Sequence, residues 1–294
     1  MKTMTSLISF TVVLAVLATD ADAAKKRKKY RSAPAPVTQV ERYDNVALCN
    51  GGMMITADDQ IKGCTALINS RISRERRAVA HYNRGNAYVG KNDFSRAIAD
   101  YTEALTYKSD YAAAYFNRGV AQRISGNPRL AVADYSSAIA LTPMDADAFA
   151  GRGMAYVRMA QFEKAASDFD HAIKLKPDHL MALTQRGHHF VRTQAWGPAI
   201  ADYGAALSIQ KTNVEALYGR GVAKMYSGDV KGGQIEIAQA QAFDAGVTGR
   251  MTAQGIPPPQ VVETPAATPV PVANAPAPAN DGRAPGYGGA APGA

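Results

Sequence analysis

The side chains with chemistry to offer are five histidines, two cysteines and a regularly spaced set of carboxylates. The histidines are His81, His171, His179, His188 and His189. A chelating pair on a helix needs positions i and i+4, whereas the adjacent His188 and His189 would point about 100° apart. The chain has no HExxH, GxSxG or P-loop, and no GxGxxG between a strand and a helix. Neither a metal nor an organic cofactor is expected, and with no catalytic group in view the chain reads as a non-enzyme. Cys49 and Cys64 lack the CxxC spacing of zinc and redox sites. That leaves one disulfide, whose loop of about 15 residues would contribute roughly 3 kcal/mol, or two free thiols.

The carboxylates keep register with arginines. Arg84, Arg118, Arg152, Arg186 and Arg220 recur every 34 residues, each followed by glycine, and sixteen residues after each comes an acid: Asp100, Asp134, Asp168, Asp202 and Glu236. A charge on a packing face is costly unless paired. The spacing therefore predicts five Arg-to-acid pairs, each joining two helices, in a structural role.

Helices are needed to position those pairs, and the period supplies them. A stripe at i, i+3, i+4 and i+7, such as Phe149, Arg152, Gly153 and Tyr156, marks the first helix of each unit. The second helix carries Ala97, Ala131, Ala165, Ala199 and Gly233, then Tyr101, Tyr135, Phe169, Tyr203 and Ile237, then Ala104, Ala138, Ala172, Ala206 and Ala240. Glycine within a helix costs about 1 kcal/mol relative to alanine, so Gly85 and its equivalents imply close approach of a neighbouring backbone. Asn92-Asp93, Gly126-Asn127 and Gly228-Asp229 signal the turns, Pro128 opens a helix, and Pro143 and Pro177 end units.

These small, aromatic and proline positions within 34 residues resemble the tetratricopeptide repeat, over five units and a little over half the chain. The Trp usual near the start of such a unit is replaced by His81, Tyr115, Phe149, Leu183 and Leu217. The resemblance implies an all-α, right-handed superhelical solenoid of about five helix-turn-helix repeats with disordered termini. Its first helices would line a concave groove that binds a peptide or partner domain. Groove positions map onto Tyr82, Phe116 and Tyr218 before the arginines, with Asn117 beside Phe116, and onto Asn86, Val120, Met154 and His188 after the glycines. Arg123, Arg158, Arg192 and Tyr226 follow further along. Such an apolar groove with arginines on its wall suits a short amphipathic or acidic peptide; the alternative is that these residues cover helix surface or pack against the chain's own tail. Asn86 and Asn117 match the asparagines of the family's two-carboxylate clamp. Tyr82, Asp147 and Gly151 stand where that clamp needs cations, so chaperone docking through it is rejected.

The ends read differently. Lys2, the apolar run of residues 7–17 and Ala21-Asp22-Ala23 match a secretory signal cut after Ala23. An uncleaved anchor is the competing reading, but a bilayer span needs about 20 apolar residues. Of the formal charge of +8, six positive charges lie between Lys25 and Arg31, a basic arm that either holds an anionic envelope surface or is a solvated leader. Thr56 and Asp59 open a helix through about Ser70 that reads as a cap pinned by the disulfide, and the wetter last repeat reads as the opposite cap. Ten of sixteen prolines follow Gly255. The expected organisation is a signal peptide over 1–23, a basic disordered arm over 24–44, N-terminal capping helices over 45–77, five repeats over 78–245 and a Pro/Ala-rich disordered tail over 246–294. The function expected is a non-catalytic scaffold or adaptor, periplasmic or secreted, with a protein or peptide partner; nucleic acid is not expected, nor a transmembrane segment in the mature chain. The alternative is an envelope-associated structural protein tethered through the basic arm.

Overall fold

The computed structural model describes residues 39–258, so the expected leader, most of the basic arm and the Pro-rich stretch after 258 lie outside the described residues. Among the described residues the chain is helical throughout. Helices α1 (Gln39–Asn50) and α2 (Ala57–Ile68) precede five pairs: α3 (Arg74–Gly90) with α4 (Phe94–Tyr107), α5 (Ala112–Ile124) with α6 (Pro128–Leu141), α7 (Ala146–Arg158) with α8 (Phe162–Leu175), α9 (Leu180–Arg192) with α10 (Trp196–Ile209), and α11 (Val214–Tyr226) with α12 (Val230–Phe243). A short α13 (Val247–Ala253) closes the set. Each helix packs on the next. The first helices also touch one another across repeats, α3 with α5, α5 with α7 and α9 with α11, which makes them an inner layer and the second helices an outer one.

The second helices are all 14 residues long and start 34 residues apart. The turn before each enforces that register. Residues 92, 126, 160, 194 and 228 all have left-handed backbone, from Asn92 at φ 58° to Gly228 at φ 104°. The next amide then reaches back five residues, as in Asp93 N to Tyr88 O at 2.9 Å and Ala195 N to Phe190 O at 2.8 Å, satisfying a carbonyl at the helix end. Side-chain caps start several helices, including Thr56 on Asp59 N and Asn213 on Ala216 N. The α3 start is extended to Arg74, whose guanidinium caps the end of α4 through the carbonyls of Thr106 and Tyr107.

The repeated glycine makes room for a ring, not for the backbone expected from sequence. A Cβ at Gly85 would lie 2.7 Å from Tyr101, at Gly153 2.6 Å from Phe169 and at Gly187 2.7 Å from Tyr203, each the aromatic sixteen residues on. Those rings are fully buried between the alanine columns. Only in the fifth repeat, where Ile237 replaces the aromatic, does backbone come close, with Gly233 O 2.8 Å from a Cβ at Gly221.

Both ends are more ordered than composition indicated. Helix α1 begins at Gln39, inside the stretch assigned to the arm, and a disulfide joins Cys49 of α1 to Cys64 of α2 with both residues buried. At the other end, residues 247–256 do not belong to a disordered tail. Val247, Met251 and Ile256 are each 0% exposed and join the core of the last two repeats, and Gly255 at φ 80° turns the chain back over their inner face. Apolar side chains four and five residues apart supply the burial energy that the Pro-rich segment beyond lacks.

Candidate partner-binding face

The charged groups belong to the scaffold. Each arginine grips its acid through two parallel bonds: Arg84 Nε and Nη2 reach Asp100 at 2.8 Å, and Arg118, Arg152, Arg186 and Arg220 hold Asp134, Asp168, Asp202 and Glu236 at 2.7–2.9 Å. The acids are buried, and such bidentate bonds are strong and directional. Burial alone would raise the Asp100 carboxyl, but bonds from Arg84 and His81 outweigh it and hold it below its ordinary value. In return the carboxylates raise the Arg84, Arg152 and Arg186 guanidiniums.

The inner face divides into two parts. Toward its start, side chains of α3, α4 and α5 are linked by a chain of hydrogen bonds. Tyr101 OH donates to Asn86 Oδ1 at 2.7 Å, and Asn117 Nδ2 donates to the same oxygen at 2.9 Å and to Tyr82 OH at 3.0 Å. Tyr82 leans on Tyr101 and Tyr111, with ring centroids 5.9 and 4.8 Å away. Burial raises the Tyr101 and Tyr111 hydroxyls, the latter to about 12, so they stay protonated donors at any physiological pH. Phe116 packs edge-on against Tyr135 with Val120 nearby, Met154 lies against the Phe169 cluster, Arg123 lies beside the Tyr135 hydroxyl, and Arg158 is exposed. Of the sequence-predicted face, then, Tyr82, Asn86 and Asn117 come together on neighbouring helices, and Phe116 joins the next cluster, with Tyr135.

The second part is occupied by the chain itself. His188 and Tyr218, expected as groove contacts, are each 0% exposed and unreachable from solvent. Over Tyr218 and Arg192 the cover is the segment of residues 247–256 described above, with Thr248 beside Tyr218, while His188 is enclosed beside Tyr203 and Arg192. Arg192 donates through Nε and Nη2 to Gln254 O at 3.1 and 2.7 Å and lies 4.5 Å from the Phe162 ring centroid, so it serves the fold. Packing against the chain's own tail, one of the two readings open from sequence, is what happens at these positions. Tyr226 is about half exposed and stacks on Trp196 at 4.6 Å, a contact with no signal at the repeat period. Burial, reinforced by Arg192, lowers His188 to about 3, and neither ring nitrogen has a hydrogen-bond partner among the described residues.

Among the described residues no group of three or more His, Cys, Asp or Glu side chains is arranged to hold a metal, and no helix is long and apolar enough to cross a membrane. Two segments match known repeat families: residues 85–123 the family described as TPR repeat, and residues 146–179 the tetratricopeptide repeat. No curated protein matches the sequence significantly. Many solved structures share the fold. YrrB, described as a TPR protein with an unusual peptide-binding site, is 20% identical with a TM-score of 0.53, over 66% of this chain and 99% of its own. A MamA structure is also 20% identical with a TM-score of 0.50, over 55% of this chain and 94% of its own. MamA from Desulfovibrio magneticus RS-1 is 18% identical with a TM-score of 0.52, over 60% and 96%. Tetratricopeptide arrays are scaffolds, generally non-catalytic, that bind peptides and partner proteins. Residues 85–123 and 146–179 thus carry tetratricopeptide repeats, within a tandem array of five helix pairs that shares its fold with these solved structures.

Proposed function

We propose that the chain is a non-catalytic scaffold that holds an extended polypeptide on the inner face of its first two repeats. One observation carries the reading. The bonds among Tyr82, Asn86, Tyr101 and Asn117 use Asn86 Oδ1 and Asn117 Nδ2, leaving Asn86 Nδ2 and Asn117 Oδ1 without partners among the described residues. One free donor beside one free acceptor matches the C=O and N–H of a peptide backbone, and the tyrosine rings fix both amides before a ligand arrives. Preorganisation of this kind lowers the entropic cost of binding. Selection from a displayed peptide library should enrich binders that Asn86→Ala/Asn117→Ala weakens by about tenfold or more with the helical circular dichroism unchanged. An unenriched library, or equal binding by the double variant, refutes the reading.

We also propose that the chain acts outside the cytoplasm as an adaptor of the bacterial periplasm or cell envelope. The leader-like pattern of residues 1–23 motivates this, and the Cys49–Cys64 disulfide supports it, since such bonds persist in oxidising compartments. A full-length chain expressed in a bacterium should be recovered from the envelope fraction beginning at Ala24, and a chain lacking residues 1–23 should remain inside with two reactive thiols. Recovery of the full-length chain in the cytoplasm counts against it.

A further inference from the structure

The five arginines are equivalent by register but not by surroundings. Arg118, Arg152 and Arg186 each use Nη1 to reach the residue sixteen positions earlier, on the preceding second helix: Thr102 at 3.0 Å, Ser136 at 3.1 Å and Asp170 at 2.7 Å. At Arg220 that position is Gly204. Glu236 holds Nε and Nη2 of Arg220 at 2.9 and 2.8 Å, but Nη1 has no partner among the described residues, and a Cβ at Gly204 would still be 3.8 Å away. Two further changes open the same junction. The rings of Tyr115 and Phe149, whose centroids lie 5.6 Å from the guanidinium carbons of Arg118 and Arg152, have already given way to Leu183 beside Arg186 and are Leu217 here, and Pro143 and Pro177 give way to Lys211. The result is a cavity of about 350 Å³ between α10 and α11, lined by Gly204, Leu207, Ser208, Lys211, Leu217 and Arg220.

We propose that this cavity is a subsite for a carboxylate, the Asp or Glu side chain of a partner polypeptide. The neighbouring repeat supplies the template. Arg186 holds two carboxylates at once, Asp202 on its Nε/Nη2 edge and Asp170 on Nη1. At Arg220 the first is built in and the second is replaced by space. Charge favours filling it: Arg186 faces two acids, whereas Glu236 is shared between Arg220 and Lys224, whose Nζ lies 2.8 Å away, and Lys211 is exposed at the rim. Leu207 and Leu217 give the cavity apolar walls that match the methylenes of an acidic side chain and offer nothing to a bare inorganic anion. The site involves the outer helix α10 and none of the residues Tyr82, Asn86, Tyr101 and Asn117, so its failure would leave the peptide-backbone reading intact.

The test is a titration of the isotopically labelled full chain with acetyl-Ala-Glu-Ala-amide, followed by nuclear magnetic resonance. The Gly204 and Ser208 amides and the Arg220 Nε–H should shift saturably, and the Gln counterpart of the peptide should leave them unmoved. Gly204→Asp supplies a tethered carboxylate in the place Asp170 takes beside Arg186. It should weaken the peptide by about tenfold or more while raising the melting temperature, which separates occupancy from misfolding. Lys211→Ala, an exposed change that leaves the packing alone, should weaken the peptide as well. No saturable shift, an equal response to the Gln peptide, or full binding by Gly204→Asp overturns the proposal. Tighter binding of inorganic phosphate than of the Glu peptide overturns its assignment to a polypeptide side chain.

Discussion

Ala160 and Gln194 hold left-handed backbone without glycine's freedom, at φ 56° and 57°, where Gly126 and Gly228 serve the same turn elsewhere. Left-handed φ costs a residue with a Cβ about 1–2 kcal/mol, partly offset by its smaller entropy loss on folding. Ala160→Gly should therefore stabilise by about 0.5–1 kcal/mol and Gly126→Ala destabilise comparably, both read from urea unfolding. The helix glycines are needed for space and not for backbone freedom: Gly153→Ala sets a methyl 2.6 Å from Phe169 and should cost about 2 kcal/mol. His188 adds a pH dependence. Its folded pKa is depressed from 6.5 to about 3, so the unfolded chain takes up the proton first. The stability from keeping this ring neutral is whole above about pH 6.5 and is lost as pH falls toward 3, at about 1.4 kcal/mol per pH unit. Between pH 7 and 5 the wild type should lose about 2 kcal/mol more than His188→Leu in urea unfolding; parallel losses contradict the buried, neutral ring. At this scale the sequence was legible wherever partners shared the period. A charge and its counter-charge sixteen residues apart, repeated five times, admit few explanations. Tyr218 was misread because its cover, at Thr248, comes from a segment outside the period, and His188 because it is buried against Tyr203 and Arg192.

Two elements flank the array, and each is held by something the repeats lack. Helix α1 is joined to α2 by the disulfide, and close packing at Gly63, whose Cβ would lie 2.9 Å from Cys49 N, brings the two helices together. Reduction removes roughly 3 kcal/mol from that element alone. Limited proteolysis after reduction should cut first within residues 39–56, with α3 to α12 still protected; uniform digestion would mean that the disulfide supports the whole array. The start of α2 was legible from Thr56 and Asp59, which form the cap that their spacing indicates. Helix α13 was not. Its seven residues contain Gly249 and stand beside a Pro-rich stretch, so an average over the region hides Val247, Met251 and Ile256.

At the scale of the molecule, a helix array with contacts only between neighbours has a stability close to a sum over units and junctions. The number of helix pairs and the all-helical class were legible because every unit repeats the same length; the start of the first pair at Arg74, ahead of the expected 78, was not. Which part of the inner face stays open was not, since that depends on where the chain goes after its last repeat. The arginine bonds of the outer junctions carry one more consequence. Because Arg118 finds Thr102 and Arg152 finds Ser136 by the same offset, the chain is cut into interchangeable cassettes. Excising residues 112–145, a span of 34, would bring α7 directly after α4, Arg152 onto Thr102 in place of Ser136 and Phe149 into the place of Tyr115. A hydroxyl replaces a hydroxyl and a ring replaces a ring. The shortened protein should fold, with helical content per residue unchanged and a cooperative melt; loss of either would show that the cassettes carry private contacts. A gene built of such units can lengthen or shorten by recombination without passing through an unfolded product.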